Sequence, residues 1–372
     1  MKLFINTSNL KKGGALQVAH SFLTEIKENT EHNFHVVLSS KIREQINTNE
    51  YPENFTFYDY TIKPGILKVI TGKDTYLNKL ESRIKPDCIF TVFGPAYWSP
   101  MAKHILGFAN GWCYNPHSIA FKKVRFLTKL KNLALIHLIN YRILKETDLL
   151  IVETQDAKNK ITKFLKINPS KTHVVSNTTH AIFSDKNQPV FKLNSRNKNE
   201  FRFLTVSANY PHKNLEIIKQ ISLLLASENI NVSFWLTISD KEFYQTFAGF
   251  ERWIKNIGPV DIKYVPSLYE QCDALFLPTL LETFTASYPE AMIMGKPILT
   301  SDLSFARDIC GNAAEYFNPL DAKDIAEKIE KIITDGKRRE NLVKEGYKQL
   351  NKFETAKSRA EKYLKICESI AR

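Results

Sequence analysis

The sequence predicts an α/β protein with two parallel sheets, each covered by helices on both faces and each in its own domain. Three observations predict it. Strand-like and helix-like runs alternate through both halves of the chain. The 372 residues are enough for two separate hydrophobic cores. A stretch rich in Asn, Ser, Lys and Pro, running from Phe183 to Glu200, interrupts the alternation near the middle.

The elements follow in order. Leu3 to Ser8 is apolar and β-branched enough for a first strand, and Ala15 to Glu28 carries the apolar spacing of a helix. Asn33 to Ser40, Asp87 to Phe93, His104 to Asn110 and Asp148 to Thr154 are further strands. After the polar stretch the alternation resumes with Phe201 to Ser207. Val232 to Ser239, Val260 to Val265, Asp273 to Thr279 and Pro297 to Ser301 continue it. Ala286 to Met294 reads as a helix ended by Gly295 and Pro297. Thr355 to Arg372 is an amphipathic helical tail. The expected organisation is therefore a first domain over residues 1–185, a linker over 186–200, a second domain over 201–352 and a terminal helix over 353–372.

Composition narrows the functional classes. The start of the chain is too short and polar for a signal peptide, and no run reaches the ~18 apolar residues of a membrane span. Five scattered cysteines form no C-x-x-C pair, which fits a reducing cytoplasm and indicates neither zinc nor a disulfide framework. The net charge of +13 is uneven: 25 basic against 15 acidic residues through Asp185, and 27 against 24 beyond it. Such a first half suits a polyanion or an anionic membrane surface. No nucleic-acid-binding signature accompanies the charge, so nucleic acid is not expected as a partner. His117 to Lys145 holds seven Lys/Arg (Lys122, Lys123, Arg125, Lys129, Lys131, Arg142 and Lys145) and no carboxylate. Phe121, Phe126, Leu127, Leu130, Leu133 and Leu138 interleave with them. This is the composition of a helix lying on an anionic bilayer, or of a core helix with a solvated basic face.

The most informative stretch runs from Leu281 to Ile298. It sets Glu282 and Glu290 with seven residues between them, Phe284, Thr285 and Ala286 among these, in a loop from a buried strand to a helix start. Backbone donors beside two carboxylates suit a ligand that carries both phosphates and hydroxyls, and a nucleotide-sugar is such a ligand. The Glu-x7-Glu spacing, its Glu290-Ala291-Met292 continuation into Gly295-Lys296-Pro297, and the later Gly311 to Pro319 resemble the retaining glycosyltransferases of family 4. The resemblance is strong over about residues 201–352 and weaker from Met1 to about Asp185.

The resemblance implies a GT-B fold, two facing Rossmann-like domains with the last helix crossing back to the first. It implies that Glu282 contacts the donor sugar and that Glu290 holds the ribose hydroxyls. Gly13 and Gly14, which open the first helix, would face the diphosphate and acceptor; two glycines there allow close backbone approach. Lys213 would neutralise the diphosphate leaving group. The family's arginine shortly before this lysine is missing from Ser207-Ala208-Asn209, so one contact is lost or Asn209 replaces it with a neutral hydrogen bond. The loop at Gly258-Pro259-Val260 would lay the base against backbone groups. The family's strand-end histidine is also missing. Asn110 stands there, able to bond a sugar hydroxyl but not to act as a base, and His117 follows a few residues on.

The expectation is thus metal-independent transfer, with retention, from a UDP- or GDP-linked sugar to a glycan or lipid-linked glycan at the inner membrane face, without a cofactor. An isomerase, a GT-B nucleotide-sugar 2-epimerase, and a non-catalytic sugar-binding protein with a degenerate site are the alternatives.

Overall fold

A computed structural model describes residues 1–11, 13–62, 70–124, 126–185 and 187–371. The chain divides into two compact units. The first comprises Met1–Pro116, Leu127–Asn177 and Glu354–Arg372; the second comprises His117–Phe126 and Thr178–Phe353.

The first unit holds β1 (Lys2–Asn6), β2 (Asn33–Ser39), β3 (Phe55–Tyr60), β4 (Cys88–Thr91), β5 (Lys103–Gly107), β6 (Leu149–Val152) and β7 (Thr172–Val174). They form one parallel sheet in the order β3-β2-β1-β4-β5-β6-β7. The order reverses between β1 and β4, which opens a crevice at their carboxyl ends. The helix Gly14–Glu25 leaves β1 and buries Leu16, Val18, Ala19, Phe22 and Leu23. The C-terminal helix Ala356–Ile370 packs on it: the Tyr363 ring lies 5.4 Å from Phe22 and 5.2 Å from Phe90. Arg359 donates to Ser21 Oγ at 2.9 Å and to Asn177.

The second unit holds β8 (Phe201–Thr205), β9 (Val232–Leu236), β10 (Ile254–Asn256), β11 (Ala274–Leu277), β12 (Ile298–Ser301) and β13 (Ala314–Phe317), parallel in the order β10-β9-β8-β11-β12-β13. Its core is aromatic. Phe234 and Phe276 each lie 5.3 Å from their neighbour in the chain Phe203–Phe234–Phe276, and Phe317 extends it at 5.5 Å. Here the order reverses between β8 and β11.

Several expectations need correction. Val260 to Val265 is not a strand. Asp261 caps a 3-10 turn over Ile262–Tyr264, and a helix follows over Val265–Gln271 with Pro266 in its first turn. A proline lacks the N–H a central strand needs and suits a helix start. β3, β7, β10 and β13 were not anticipated. All four are outermost strands, and β3, β7 and β10 are partly exposed. The segment expected as a linker is packed on the second unit. Phe191 and Leu193 lie against its core, and their amides donate to Ser267 Oγ (2.9 Å) and Gln271 Oε1 (3.0 Å).

The basic stretch is not one surface. Its first part, His117–Phe126, belongs to the second unit, where Lys123 pairs with Glu216. Arg142 is buried against Glu146 at 2.8 Å and donates to Ser99 Oγ. Arg125 lies outside the described residues. What faces outward is one side of the helix Phe126–Glu146: Leu130, Lys131, Leu135, Tyr141, Leu144 and Lys145 are exposed, whereas Ile136, Ile139 and Ile143 are buried.

Candidate functional site

The second unit builds its site from the two loops at its strand-order reversal. The loop after β8 enters a 3-10 turn, Pro211–Lys213, with Asn214 in the left-handed region at φ 56°. Asparagine tolerates that conformation better than most residues. The Asn214 amide donates to Pro319 O at 2.8 Å, so the Gly311 to Pro319 segment anchors the lysine turn.

The loop after β11 is tied to the same turn. Leu280 N donates to His212 O at 2.7 Å, and Thr279 Oγ1 lies 3.3 Å from that oxygen. These bonds bring Lys213 and Glu282 together as an ion pair whose side chains are only 15% and 11% exposed. Thr279 Oγ1 also donates to Glu282 Oε1 at 3.0 Å. Tyr210 stacks on His212 at 5.6 Å and 8°, and burial lowers the His212 pKa against the opposing pull of Glu282.

Between the two carboxylates, Phe284 packs edge-on against Phe353, and Thr285 and Ala286 lead into the helix Ser287–Ile293. Among the described residues, the amides of Phe284, Thr285 and Ala286 donate to no protein acceptor. Glu290, in the first turn of that helix, is 5% exposed. Burial pushes its carboxyl up to about 7, and a hydrogen bond from Tyr269 opposes this. The sign follows. The folded state holds the proton more tightly than the unfolded chain, so stability falls as the pH rises from the ordinary carboxylate range to about 7. The cost of ionising Glu290 is on the order of 3 kcal/mol. A buried acid that destabilises the protein at neutral pH is a mark of a functional position.

The remaining expected residues are placed as follows. Asn209 is half-buried, with its amide on Thr246 Oγ1 at 3.3 Å. Val260 is partly buried in a loop after Gly258, which sits at φ 81°. In the first unit, Gly13 caps the helix after β1 at φ 76°, a conformation that favours glycine. Gly14 has an ordinary φ, and a Cβ there would meet nothing within 4 Å, so its lack of a side chain leaves open space. Asn110 follows β5 and caps the turn Gly111–Cys113, accepting from Trp112 N at 3.2 Å. His117 is exposed and belongs to the second unit. The histidine that β5 does carry, His104, is fully buried between Thr91 and Glu146, with its pKa lowered to about 4 by burial. It lies at the strand's amino end, away from the crevice. The contacts of Thr279, Asn214 and Tyr269 were not legible from the sequence, because each acts across segments far apart in the chain.

Residues 187–349 match the family described as glycosyl transferases group 1. The O-antigen chain mannosyltransferase RfbU of Salmonella typhimurium is 28% identical over 165 residues, covering 41% of this chain and 46% of that protein. An N,N'-diacetylbacillosaminyl-diphospho-undecaprenol alpha-1,3-N-acetylgalactosaminyltransferase of Campylobacter jejuni is 31% identical over 108 residues, 28% of either chain. The match therefore spans less than half the length of these curated relatives. The crystal structure of Anabaena HepE in complex with UDP and glucose superposes over 99% of both chains, with a TM-score of 0.68 and 15% identity. The family match is thus confined to residues 187–349, and the fold of the chain is GT-B.

Proposed function

We propose that this chain, through its group 1 domain, transfers a sugar from a nucleotide-sugar to a glycan or lipid-linked glycan, with retention and without a metal ion. The observation that carries this reading is the sheltered Lys213–Glu282 pair beside the amides of Phe284, Thr285 and Ala286, which donate to no acceptor among the described residues. Separating a sheltered ion pair is costly unless both members gain new partners. A nucleotide-sugar offers both at once. Its diphosphate takes Lys213 and the amides of Phe284 to Ala286, and its sugar hydroxyls take Glu282. Glu290 accepts the ribose hydroxyls, and the loop at Val260 receives the base.

As the bond to the anomeric carbon breaks, charge develops on the diphosphate. Lys213 and the amides stabilise it there, and they are already in place before reaction. Asn110, Gly13 and Gly14 are assigned to the acceptor side, with Asn209 as a neutral neighbour of the diphosphate. Asn110 stands where the strand-end histidine would, and an amide cannot abstract a proton, which counts against a 2-epimerase. The acceptor class draws on the relatives, an O-antigen chain mannosyltransferase and a diphospho-undecaprenol N-acetylgalactosaminyltransferase. Calorimetry with UDP- and GDP-sugars tests the donor assignment. One of them binds more tightly than its free nucleoside diphosphate, because only the sugar satisfies Glu282. Equal affinities would contradict the pair's proposed role.

The same reading extends to an anionic membrane surface at the inner, cytoplasmic face. The helix Phe126–Glu146 buries Ile136, Ile139 and Ile143 yet exposes Leu130, Leu135, Tyr141 and Leu144 beside Lys131 and Lys145. Apolar residues on both faces call for a second cover, and the lysines suit lipid phosphates. No helix among the described residues is long and apolar enough to cross a membrane. Each lysine at the surface contributes about 1 kcal/mol. Lys131→Glu with Lys145→Glu should therefore lower partitioning onto phosphatidylglycerol-containing vesicles by more than about 30-fold, with turnover on a soluble acceptor intact. Unchanged sedimentation with vesicles would rule this face out.

A further inference from the structure

Glu290 poses a problem that the donor-site reading leaves open. A carboxylate that is to accept two ribose hydroxyls must be ionised, yet this one is buried, and among the described residues no cation acts on it. Of the titratable groups on the elements around it, only Tyr269 is hydrogen-bonded to it among the described residues. On its own helix Tyr288 bonds Thr300 Oγ1 at 2.6 Å. In the preceding loop Glu282 is paired with Lys213. On the helix Gly336–Leu350, Tyr347 lies against Gly295. Cys272 and Cys310 are buried thiols whose pKa values burial raises.

The exception is Tyr269, on the helix Val265–Gln271 and 0% exposed. Its hydroxyl has one proton and two acceptors within reach: Ser287 O at 3.2 Å and Glu290 Oε2 at 3.4 Å. It cannot serve both fully. When Glu290 is protonated, the carboxyl can donate to the tyrosine oxygen, and the tyrosine proton stays on Ser287. When Glu290 ionises, the better acceptor is the carboxylate, because a hydrogen bond to a charged group is roughly twice as strong.

We infer that Tyr269 is a positioning residue for the nucleotide, its hydroxyl turning from the Ser287 carbonyl to the Glu290 carboxylate as the donor binds. Glu290 gives its proton to solvent in the same step. The inference rests on the reading that Glu290 takes the ribose hydroxyls. It makes nucleotide affinity depend on pH through a buried pair, and it gives Tyr269 a role that packing alone does not.

The test measures affinity for UDP-glucose and GDP-mannose between pH 5.5 and 9 by calorimetry. The diphosphates of these esters do not titrate in that range. For whichever donor binds, wild-type affinity should fall about tenfold per pH unit below the Glu290 midpoint. Tyr269→Phe removes the bond that favours the ionised form, so its midpoint should move up by about one pH unit. Its affinity should be about tenfold weaker at pH 6 and equal to wild type at pH 9. Glu290→Gln should bind weakly at every pH with a flat profile. A Tyr269→Phe profile that overlays wild type, or one displaced equally at all pH values, overturns the inference while leaving the ribose assignment standing. Should Tyr269→Phe fail to fold, the wild type still decides: at pH 6 binding must release close to one proton, read from heats in two buffers, and at pH 9 none. Full affinity in Glu290→Gln overturns the ribose assignment and the inference together.

Discussion

Lys213→Ala should lower turnover by about 10²–10³-fold, the loss seen when one preorganised donor to a developing oxyanion is removed. The pair geometry adds a second expected effect. Glu282 keeps Thr279 as a hydrogen-bond donor but loses its cation in a sheltered position. Donor affinity should therefore fall as well, since an unpaired carboxylate then lies beside the diphosphate. Lys213→Arg should recover part of the binding and less of the turnover, because a planar guanidinium cannot reproduce a compact ammonium in a turn fixed by Asn214. Steady-state kinetics on the three proteins checks this. Turnover within a few-fold of wild type in Lys213→Ala would remove the lysine from the reaction.

The two carboxylates should separate cleanly. Glu290→Ala should weaken both the intact donor and the free nucleoside diphosphate by about 1.5–3 kcal/mol, the range for a charged hydrogen bond, since ribose is common to both ligands. Glu282→Gln should keep nucleoside diphosphate affinity, because it releases Lys213 from its pair, and should lose turnover because the sugar is no longer oriented. Calorimetry with the diphosphate alone distinguishes them. If Glu282→Gln weakens the diphosphate as much as Glu290→Ala does, the two assignments are exchanged.

Much of the architecture was legible because buried parallel strands read as continuous apolar runs. β1, β2, β4, β5, β6, β8, β9, β11 and β12 all overlap expected runs such as Asn33 to Ser40 or Asp273 to Thr279. Outermost strands lack that signal, which is why β3, β7, β10 and β13 are not legible in it. Val260 to Val265 misled because its alternation of apolar residues mimics a strand, whereas Pro266 and the Asp261 cap decide for a turn and a helix. At the candidate site, the sequence pointed to Glu282 and Glu290 through the Glu-x7-Glu spacing and the resemblance it carries, and to Lys213 through its place after the first strand of the second domain. It could not show that Lys213 and Glu282 touch, 69 residues apart, or that Tyr269 is the partner of Glu290, 21 residues away. Charge counting found the basic stretch but not its division. Only the fold shows that Arg142 is turned inward to Glu146 while Leu130 and Tyr141 face out.

Product analysis tests the central claim most directly. The purified chain is incubated with UDP- and GDP-sugars and a diphospho-undecaprenol-linked glycan in phosphatidylglycerol vesicles, with and without EDTA. The account predicts free nucleoside diphosphate and a lipid-linked glycan one sugar longer, in equal amounts. The new linkage should keep the donor's anomeric configuration by NMR, and EDTA should change neither yield. A donor converted to its 2-epimer without any glycan extension, or every donor recovered intact, would contradict it.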